Sequence, residues 1–171
     1  VEKPMTLTVL EAERVVARAE ETNRIIMVGH LLEYHPAVIQ LKDLLDRGDL
    51  GDIRYLYSKR LNLGVVRADE NSLWSLAPHD ISVILFLMGV EPVSVSATGL
   101  ASIQSTVEDV VFVSLMFPQN RMAQIHVSWL DPHKERKLVI VGSEKMAVFD
   151  DMHPSEKIRI YDKSAMIAWS H

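Results

Sequence analysis

Two polar side chains that lie far apart in the sequence could carry out acid/base chemistry together. Lys3 stands in the tripeptide EKP at 2–4, and His79 stands in the run LWSLAPHDI at 73–81. An imidazole, with an ordinary pKa of about 6.5, suits removal of a hydroxyl proton near neutral pH. A lysine beside that hydroxyl can stabilise the negative charge that develops as a hydride leaves the carbon. The pair therefore indicates oxidation of an alcohol, which also requires a hydride acceptor.

Each residue also has a simpler interpretation. Lys3 could be a surface lysine before a proline, and His79 could be a helix-start histidine that satisfies backbone groups. Metal binding is not expected, because His30, Glu33 and His35 have neither the two-histidine helical spacing of a zinc protease nor side chains facing one way.

Composition favours an ordinary globular domain. The chain has 171 residues, of which 48% are hydrophobic and 24% charged. A net charge of -5 without a basic block argues against nucleic acid and anionic membrane surfaces as partners. Its apolar runs are shorter than the ~20 residues that span a bilayer. The absence of cysteine excludes disulfides and Cys-based metal sites, and fits a cytoplasmic location.

The N-terminal part predicts the tail of a doubly wound α/β unit. Lys3 follows the expected end of a buried strand, the position where ligands of open α/β sheets gather. Thr8 and Glu11 have capping-box spacing at the start of a helix, and the apolar run 25–29 predicts a buried strand. Pro36 begins a second helix, and Pro78 is expected to open a third after an exposed loop at 63–73.

The remaining residues predict an antiparallel sheet. Apolar and polar residues alternate in 93–98 and 122–129, and further strands are predicted in 53–62, 109–117, 136–141, 146–149 and 158–161. The fold class is therefore α+β, with an open, mostly antiparallel sheet of about six strands and helices on one face. The other face either meets a second copy of itself or simply faces water.

In order and spacing, these motifs resemble the glucose-fructose oxidoreductase and inositol dehydrogenase (Gfo/Idh/MocA) family. The resemblance runs through EKP, VGH at 28–30, YHPA at 34–37, GDLGDI at 48–53 and the run from Trp74 to Ser82. The nucleotide-sugar 3-dehydrogenase branch is similar through RLNLG at 60–64, Arg67, Asn71 and LAPHD.

The resemblance implies a domain organisation and a set of site residues. Residues 1–30 would be the remnant of a Rossmann domain, and 31–171 a substrate-binding and oligomerisation domain whose C-terminal end is truncated. The family lysine and acid/base histidine correspond to Lys3 and His79. Tyr34, Arg67, Asn71 and Trp74 would line the substrate, while Lys3 and His30 would meet the cofactor. A sugar or nucleotide sugar is the expected substrate, NAD or NADP the cofactor, and a homodimer or homotetramer through the open sheet face the assembly.

Three departures from the family pattern matter. Ser75 stands where many relatives have an aspartate that orients the histidine. No glycine-rich phosphate-binding turn is present, so NAD or NADP is expected to be held mainly by a missing N-terminal domain. The C-terminal helix usual in relatives is also missing. Two alternatives remain: a stand-alone dimerisation module with vestigial catalytic residues, and a sugar-binding protein without turnover.

Overall fold

The computed structural model describes residues 1–64 and 66–162. Its elements, in chain order, are α1 Val9–Glu21, a 3-10 helix Leu31–Tyr34, α2 Pro36–Asp46, β1 Ile53–Leu61, α3 Ser72–Met88, β2 Ser94–Leu100, β3 Val110–Phe117, a 3-10 helix Pro118–Asn120, β4 Arg121–Ser128, β5 Glu135–Gly142, β6 Lys145–Asp150 and β7 Ile158–Asp162. None of the helices in these ranges is long and apolar enough to cross a bilayer.

All seven strands form one open sheet in the order β2-β3-β4-β1-β5-β6-β7. Strands β1 and β4 are parallel, with Leu56 opposite Ala123, and every other neighbouring pair is antiparallel. The α+β class and the mostly antiparallel sheet are confirmed. The sheet has seven strands, against an expected total of about six, and each of the seven segments predicted as strands of this sheet forms one of them.

The core lies between this sheet and helices α2 and α3. Leu56 and Ser58 of β1 point toward the helices and are 0% and 1% exposed, whereas Tyr55, on the other face, is 41% exposed. This difference follows from the alternation of side chains along a strand. Leu41 of α2 and Ile84 of α3 are fully buried against that side. The two faces of the sheet therefore differ as the sequence predicts, one covered by helices and one open.

Residues 1–30 stand apart from this core. Thr8 caps α1 through the predicted capping box with Glu11, yet no residue of α1 is buried. The predicted strand at 25–29 is not assigned as a strand. Its contact with the chain start is one parallel-type pair of hydrogen bonds, from Val1 N to Met27 O and from Gly29 N to Val1 O, each 2.8 Å. A strand needs a paired neighbour along its length, and Ile25 is 98% exposed here.

Helix α3 begins earlier than expected. Asn71 is its N-cap and accepts a hydrogen bond from the Trp74 backbone N–H, so the helix starts at Ser72 and Pro78 lies inside it. The prediction that Pro78 opens the helix, and that the loop extends through Leu73, is wrong. Asn71 satisfies the free N–H groups of the first turn, which makes it the stronger start signal. His79 consequently sits about two turns into the helix rather than at its start.

Candidate functional site

The structure links Lys3 to the helix that carries His79. The half-buried Lys3 Nζ donates a 2.6 Å hydrogen bond to the backbone carbonyl oxygen of Ser75, across 72 residues of sequence. Ser75 precedes His79 by four residues, so both lie on the same side of α3. Within the described part of the chain, Lys3 Nζ has this one hydrogen bond, which leaves two of its three ammonium protons for other acceptors. The backbone at Ser75 therefore anchors Lys3 one helical turn from the imidazole.

The anchor on Lys3 does not depend on the side chain at position 75. The carbonyl oxygen belongs to the main chain, so Lys3 is held whatever side chain stands at 75.

His79 is half-buried in a positive environment. Burial, followed by the charges of Arg60 and Lys3 and those of two more basic side chains, His30 and Arg136, lowers the pKa of His79 to about 4. At neutral pH the ring is consequently uncharged and able to accept a proton. This is the protonation state that a general base requires.

Two enclosed ring nitrogens lack a hydrogen-bond partner among the described residues. They are Nδ1 of His30 and Nδ1 of His79. An enclosed polar atom without a partner costs free energy, and in native proteins such atoms call for a specific explanation, often a functional one. The two imidazoles thus mark this end of the helical layer as a candidate site.

An apolar groove of about 480 Å³ opens beside these residues. His30, Trp74 and the prolines that flank the two candidate residues, Pro4 and Pro78, line it, but Lys3 and His79 themselves do not. Its opposite wall is the helix side of β2 and β3, where Val95 is 62% exposed because no helix covers it. Mainly apolar concave surfaces with a few polar groups are typical of ligand sites.

The other predicted substrate residues are more scattered. Tyr34 is 64% exposed at the end of the 3-10 helix. Arg67 is ion-paired with Glu70 at 2.7 Å. Both polar atoms of the Asn71 side chain form hydrogen bonds within the chain. Its Oδ1 caps α3, and its Nδ2 donates to Glu108 Oε2 at 2.8 Å. Neither Tyr34 nor Arg67 has a hydrogen bond or ion pair with Lys3 or His79.

Sequence reasoning missed a buried ion pair below His79. Arg60 of β1 bonds to Asp80 of α3, and the two side chains are 11% and 8% exposed. A signal for it existed: Arg60 continues the alternate series of Leu56 and Ser58, so a charge falls on the buried face and needs a buried partner. Arg136 stands directly opposite Arg60 on β5.

The comparisons with known proteins identify the family. The family model described as "GFO/IDH/MocA C-terminal domain" matches residues 38–148. The chain is 28% identical over 166 residues to UDP-N-acetylglucosamine 3-dehydrogenase of Acidithiobacillus ferrooxidans, covering 96% of this chain and 51% of that protein. The solved structure of that enzyme superposes with a TM-score of 0.80 at 27% identity, over 99% of this chain and 56% of the other.

Two further relatives show the breadth of the similarity. D-xylose 1-dehydrogenase [NADP(+)] of Haloarcula marismortui is 30% identical over 160 residues, which cover 84% of this chain and 44% of that protein. The WlbA dehydrogenase of Bordetella pertussis, solved with NADH and UDP-GlcNAcA, has a TM-score of 0.82 over 96% of this chain and 52% of its own. At 19% identity, that likeness concerns the fold alone.

The chain spans about half the length of the curated relatives it matches. The family description covers the greater part of the chain, from α2 to β6. The chain belongs to the GFO/IDH/MocA family, and residues 38–148 correspond to its C-terminal domain.

Proposed function

We propose that this chain is the C-terminal part of an oxidoreductase that transfers a hydride from a secondary alcohol of a sugar to NAD or NADP. The proposed sugar is a nucleotide sugar. The hydrogen bond from Lys3 to Ser75 O is the observation that carries the proposal, because it holds an ammonium group one helical turn from a neutral imidazole. The named activity of the Acidithiobacillus relative supports the choice of a nucleotide sugar.

The proposed roles follow from the state of each group. His79 accepts the hydroxyl proton, since its low pKa keeps the ring neutral at neutral pH. Lys3 directs its free N–H bonds at the same oxygen and stabilises the negative charge there. The nicotinamide ring, when bound, supplies the hydride acceptor. Two electrons and the carbon-bound hydrogen thus leave as hydride, and the oxygen-bound proton passes to His79.

The residues of this chain fit only the reactive end of such a cofactor. His30, with its enclosed unpartnered Nδ1 and its place in the groove wall, suits the nicotinamide side together with Lys3. The 171 residues contain no glycine-rich turn for the phosphates. We therefore assign phosphate binding to a Rossmann domain of which residues 1–30 are the end, with residues 31–171 as the substrate and oligomerisation domain.

The substrate side is proposed to include four residues around the groove and its mouth. Trp74, 43% exposed in the groove wall, offers a face for the sugar. Tyr34 and Arg67 have exposed side chains that can reach outward to a nucleotide. Asn71 contributes through the Nδ2 proton that its bond to Glu108 leaves free.

The open sheet face is proposed to join two or four copies of the chain. Tyr55, Phe112 and Tyr161 are 41%, 55% and 45% exposed there. Phe112 stacks on His126 with ring centroids 4.2 Å apart, and Tyr55 stacks on Tyr57 at 6.3 Å. Exposed aromatic side chains in one contiguous surface are typical of protein interfaces.

The experiment that tests the proposed function is an absorbance screen for reduced nicotinamide, using the longer protein with NAD or NADP and a panel of nucleotide sugars. Reduction of the cofactor with at least one sugar is expected. Cofactor binding measured on the longer protein and on the 171-residue chain supplies the control, because binding is expected only for the longer form. Failure to oxidise any sugar despite binding would favour the alternative, a sugar-binding or dimerisation module without turnover.

A further inference from the structure

An ion pair shielded from solvent lies directly below the turn of α3 that carries His79. Arg60 Nε donates to Asp80 Oδ2 at 2.5 Å, and Arg60 Nη2 to Asp80 Oδ1 at 3.4 Å. Both side chains are nearly buried, at 11% and 8% exposed. A two-pronged contact between a guanidinium and a carboxylate fixes the orientation of both groups as well as their distance.

This pair ties α3 to the sheet at the residue next to His79. Arg60 belongs to β1 and Asp80 to α3, so the contact crosses the core layer. Because two hydrogen bonds from Arg60 hold the Asp80 carboxylate, the backbone at His79 cannot rotate or slide without breaking buried polar contacts.

We propose that Arg60 is a positioning residue for His79: clamped by Asp80, its guanidinium fixes the helical turn of the imidazole and keeps a permanent positive charge beside it. The inference rests on the proposed function, in which His79 takes the proton of the alcohol. Asp80 serves as the clamp and does not orient the ring, since no hydrogen bond joins it to His79 in the described structure.

The charged groups around His79 come from every element packed near it. They are Lys3 of the N-terminal segment, His30 before the 3-10 helix, Arg60 of β1, Arg136 of β5 and Asp80 of α3 itself. Arg136 has its own acidic partner, Asp151, at 3.6 Å. Of the four basic groups, Arg60 has the largest effect on the pKa of His79 after burial.

An arginine suits this position because its charge is permanent. Arginine stays protonated at every pH that a protein tolerates. The effect of the Arg60 charge on the imidazole of His79 is therefore constant. This property makes Arg60 suited to keeping His79 neutral wherever the enzyme works.

Substitutions at the two ends of the ion pair should affect the pKa of His79 differently. Arg60→Gln removes the positive charge and leaves the Asp80 carboxyl buried, either ionised or protonated, so the pKa of His79 rises in both cases. Asp80→Asn keeps the guanidinium and removes a negative charge, so the pKa stays at the wild-type value or falls. General loosening of the helix would move both variants the same way.

The test is an NMR titration of the His79 imidazole in the 171-residue chain, with the resonance assigned by His79→Gln. Arg60→Gln is expected to raise the pKa by about half a unit or more, and Arg60→Lys to keep most of the depression. Arg47→Gln is the matched control, because Arg47 is an exposed arginine paired with Asp49 at 2.7 Å. It should leave His79 unchanged.

Removal of one partner of a buried pair can unfold a protein, so a second variant is needed. The double substitution Arg60→Met with Asp80→Leu replaces the pair by apolar side chains of similar volume and should fold. It is also expected to raise the pKa of His79. An unchanged pKa in both the double variant and Arg60→Gln would overturn the inference, as would an equal rise in Asp80→Asn.

The pH profile of turnover in the longer protein separates this inference from the proposed function. In Arg60→Gln the acid limb of kcat should move to higher pH, in parallel with the titration of His79. A shifted titration in a protein that oxidises no sugar would contradict the proposed function and leave the effect of Arg60 on His79 standing. Turnover with an unshifted acid limb would contradict the role of Arg60 alone.

Discussion

Single residues of this chain have contacts that their types do not reveal. Lys3 could be placed near a site from the tripeptide EKP, but its acceptor is the main-chain oxygen of Ser75, which no side-chain pattern can indicate. Arg60 was within reach of prediction, because its alternation with Ser58 places it on the buried face of β1. The partner, Asp80, directly follows His79 in the sequence, and its carboxyl faces the sheet and binds Arg60.

Asn71 illustrates how one residue can have a structural role where the family pattern indicates substrate binding. Its Oδ1 caps α3, and its Nδ2 holds Glu108 at the end of the β2–β3 connection. Both contacts lie within the chain itself. The substrate role of Asn71 remains a prediction, while its capping role follows directly from the geometry.

Replacement of Asn71 by alanine is expected to lower the free energy of unfolding by about 1 kcal/mol, the usual cost of losing an N-cap. Urea denaturation of the 171-residue chain measures it. Asn71→Ser keeps a capping oxygen but loses the bond to Glu108, so it should recover most of the lost stability. An alanine variant as stable as the wild type would show that the cap contributes little, and a loss of turnover alone would point to substrate contact.

The helices and strands follow local patterns where the signals are local. The capping box of α1 and Pro36 at the start of α2 were read directly from neighbouring residues. The alternation predicts both β2 and β4 as strands. In β4 its apolar positions are the buried ones, whereas β2 is exposed along its whole length. The start of α3 was misplaced because Pro78, a common first residue of helices, also fits inside one when the first turn is already capped.

The segment at 25–29 shows the limit of local prediction for strands. Its apolar run is suited to a strand buried on both faces, but pairing partners determine whether a strand forms. Among residues 1–64 and 66–162, this segment has a single parallel-type contact, with Val1. The exposed side chains of Ile25 and Met27, at 98% and 57%, fit the proposal that this segment belongs to a Rossmann sheet.

The open sheet face provides a prediction at the level of one element. Phe112→Glu places a carboxylate where Phe112 stacks on His126, and burial of an unpaired charge strongly disfavours association. The wild-type chain is expected to sediment as a dimer or tetramer and the variant mainly as a monomer. Leu10→Glu is the matched control, because Leu10 of α1 is 56% exposed and Phe112 is 55% exposed. This substitution should not change the assembly.

Sedimentation velocity at several concentrations would decide this point. A monomeric wild-type chain, or an assembly that tolerates glutamate at position 112, would contradict the proposal that this face joins copies of the protein. The alternative in which the open face simply meets water would then be favoured.

The arrangement of the whole molecule depends on contacts that are distant in sequence. The antiparallel neighbours β2–β3, β3–β4, β5–β6 and β6–β7 follow one another along the chain, so their pairing is the default expectation. The parallel pairing of β1 with β4 is not expected by default, because α3 and two strands lie between them in sequence. Yet this pairing places β1, and with it Arg60, at the centre of the sheet below α3.

The proposed reaction depends on Lys3 and His79 acting on one alcohol group. They are separated by 75 intervening residues, and the fold brings them to adjacent turns through Ser75 O. Groups that act as a unit in one step have strongly non-additive effects on rate, because loss of either removes most of what both provide. This property distinguishes joint action from two independent contributions.

The most direct measurement is therefore kcat of the longer protein with its sugar, for Lys3→Ala, His79→Ala and the double variant. Each single substitution is expected to reduce kcat by about a hundredfold or more, the scale of a positioned proton-transfer group. The double variant should be about as slow as the slower single variant. Wild-type turnover in either single variant would remove that residue from the mechanism, and fully multiplicative losses would contradict their joint action on one oxygen.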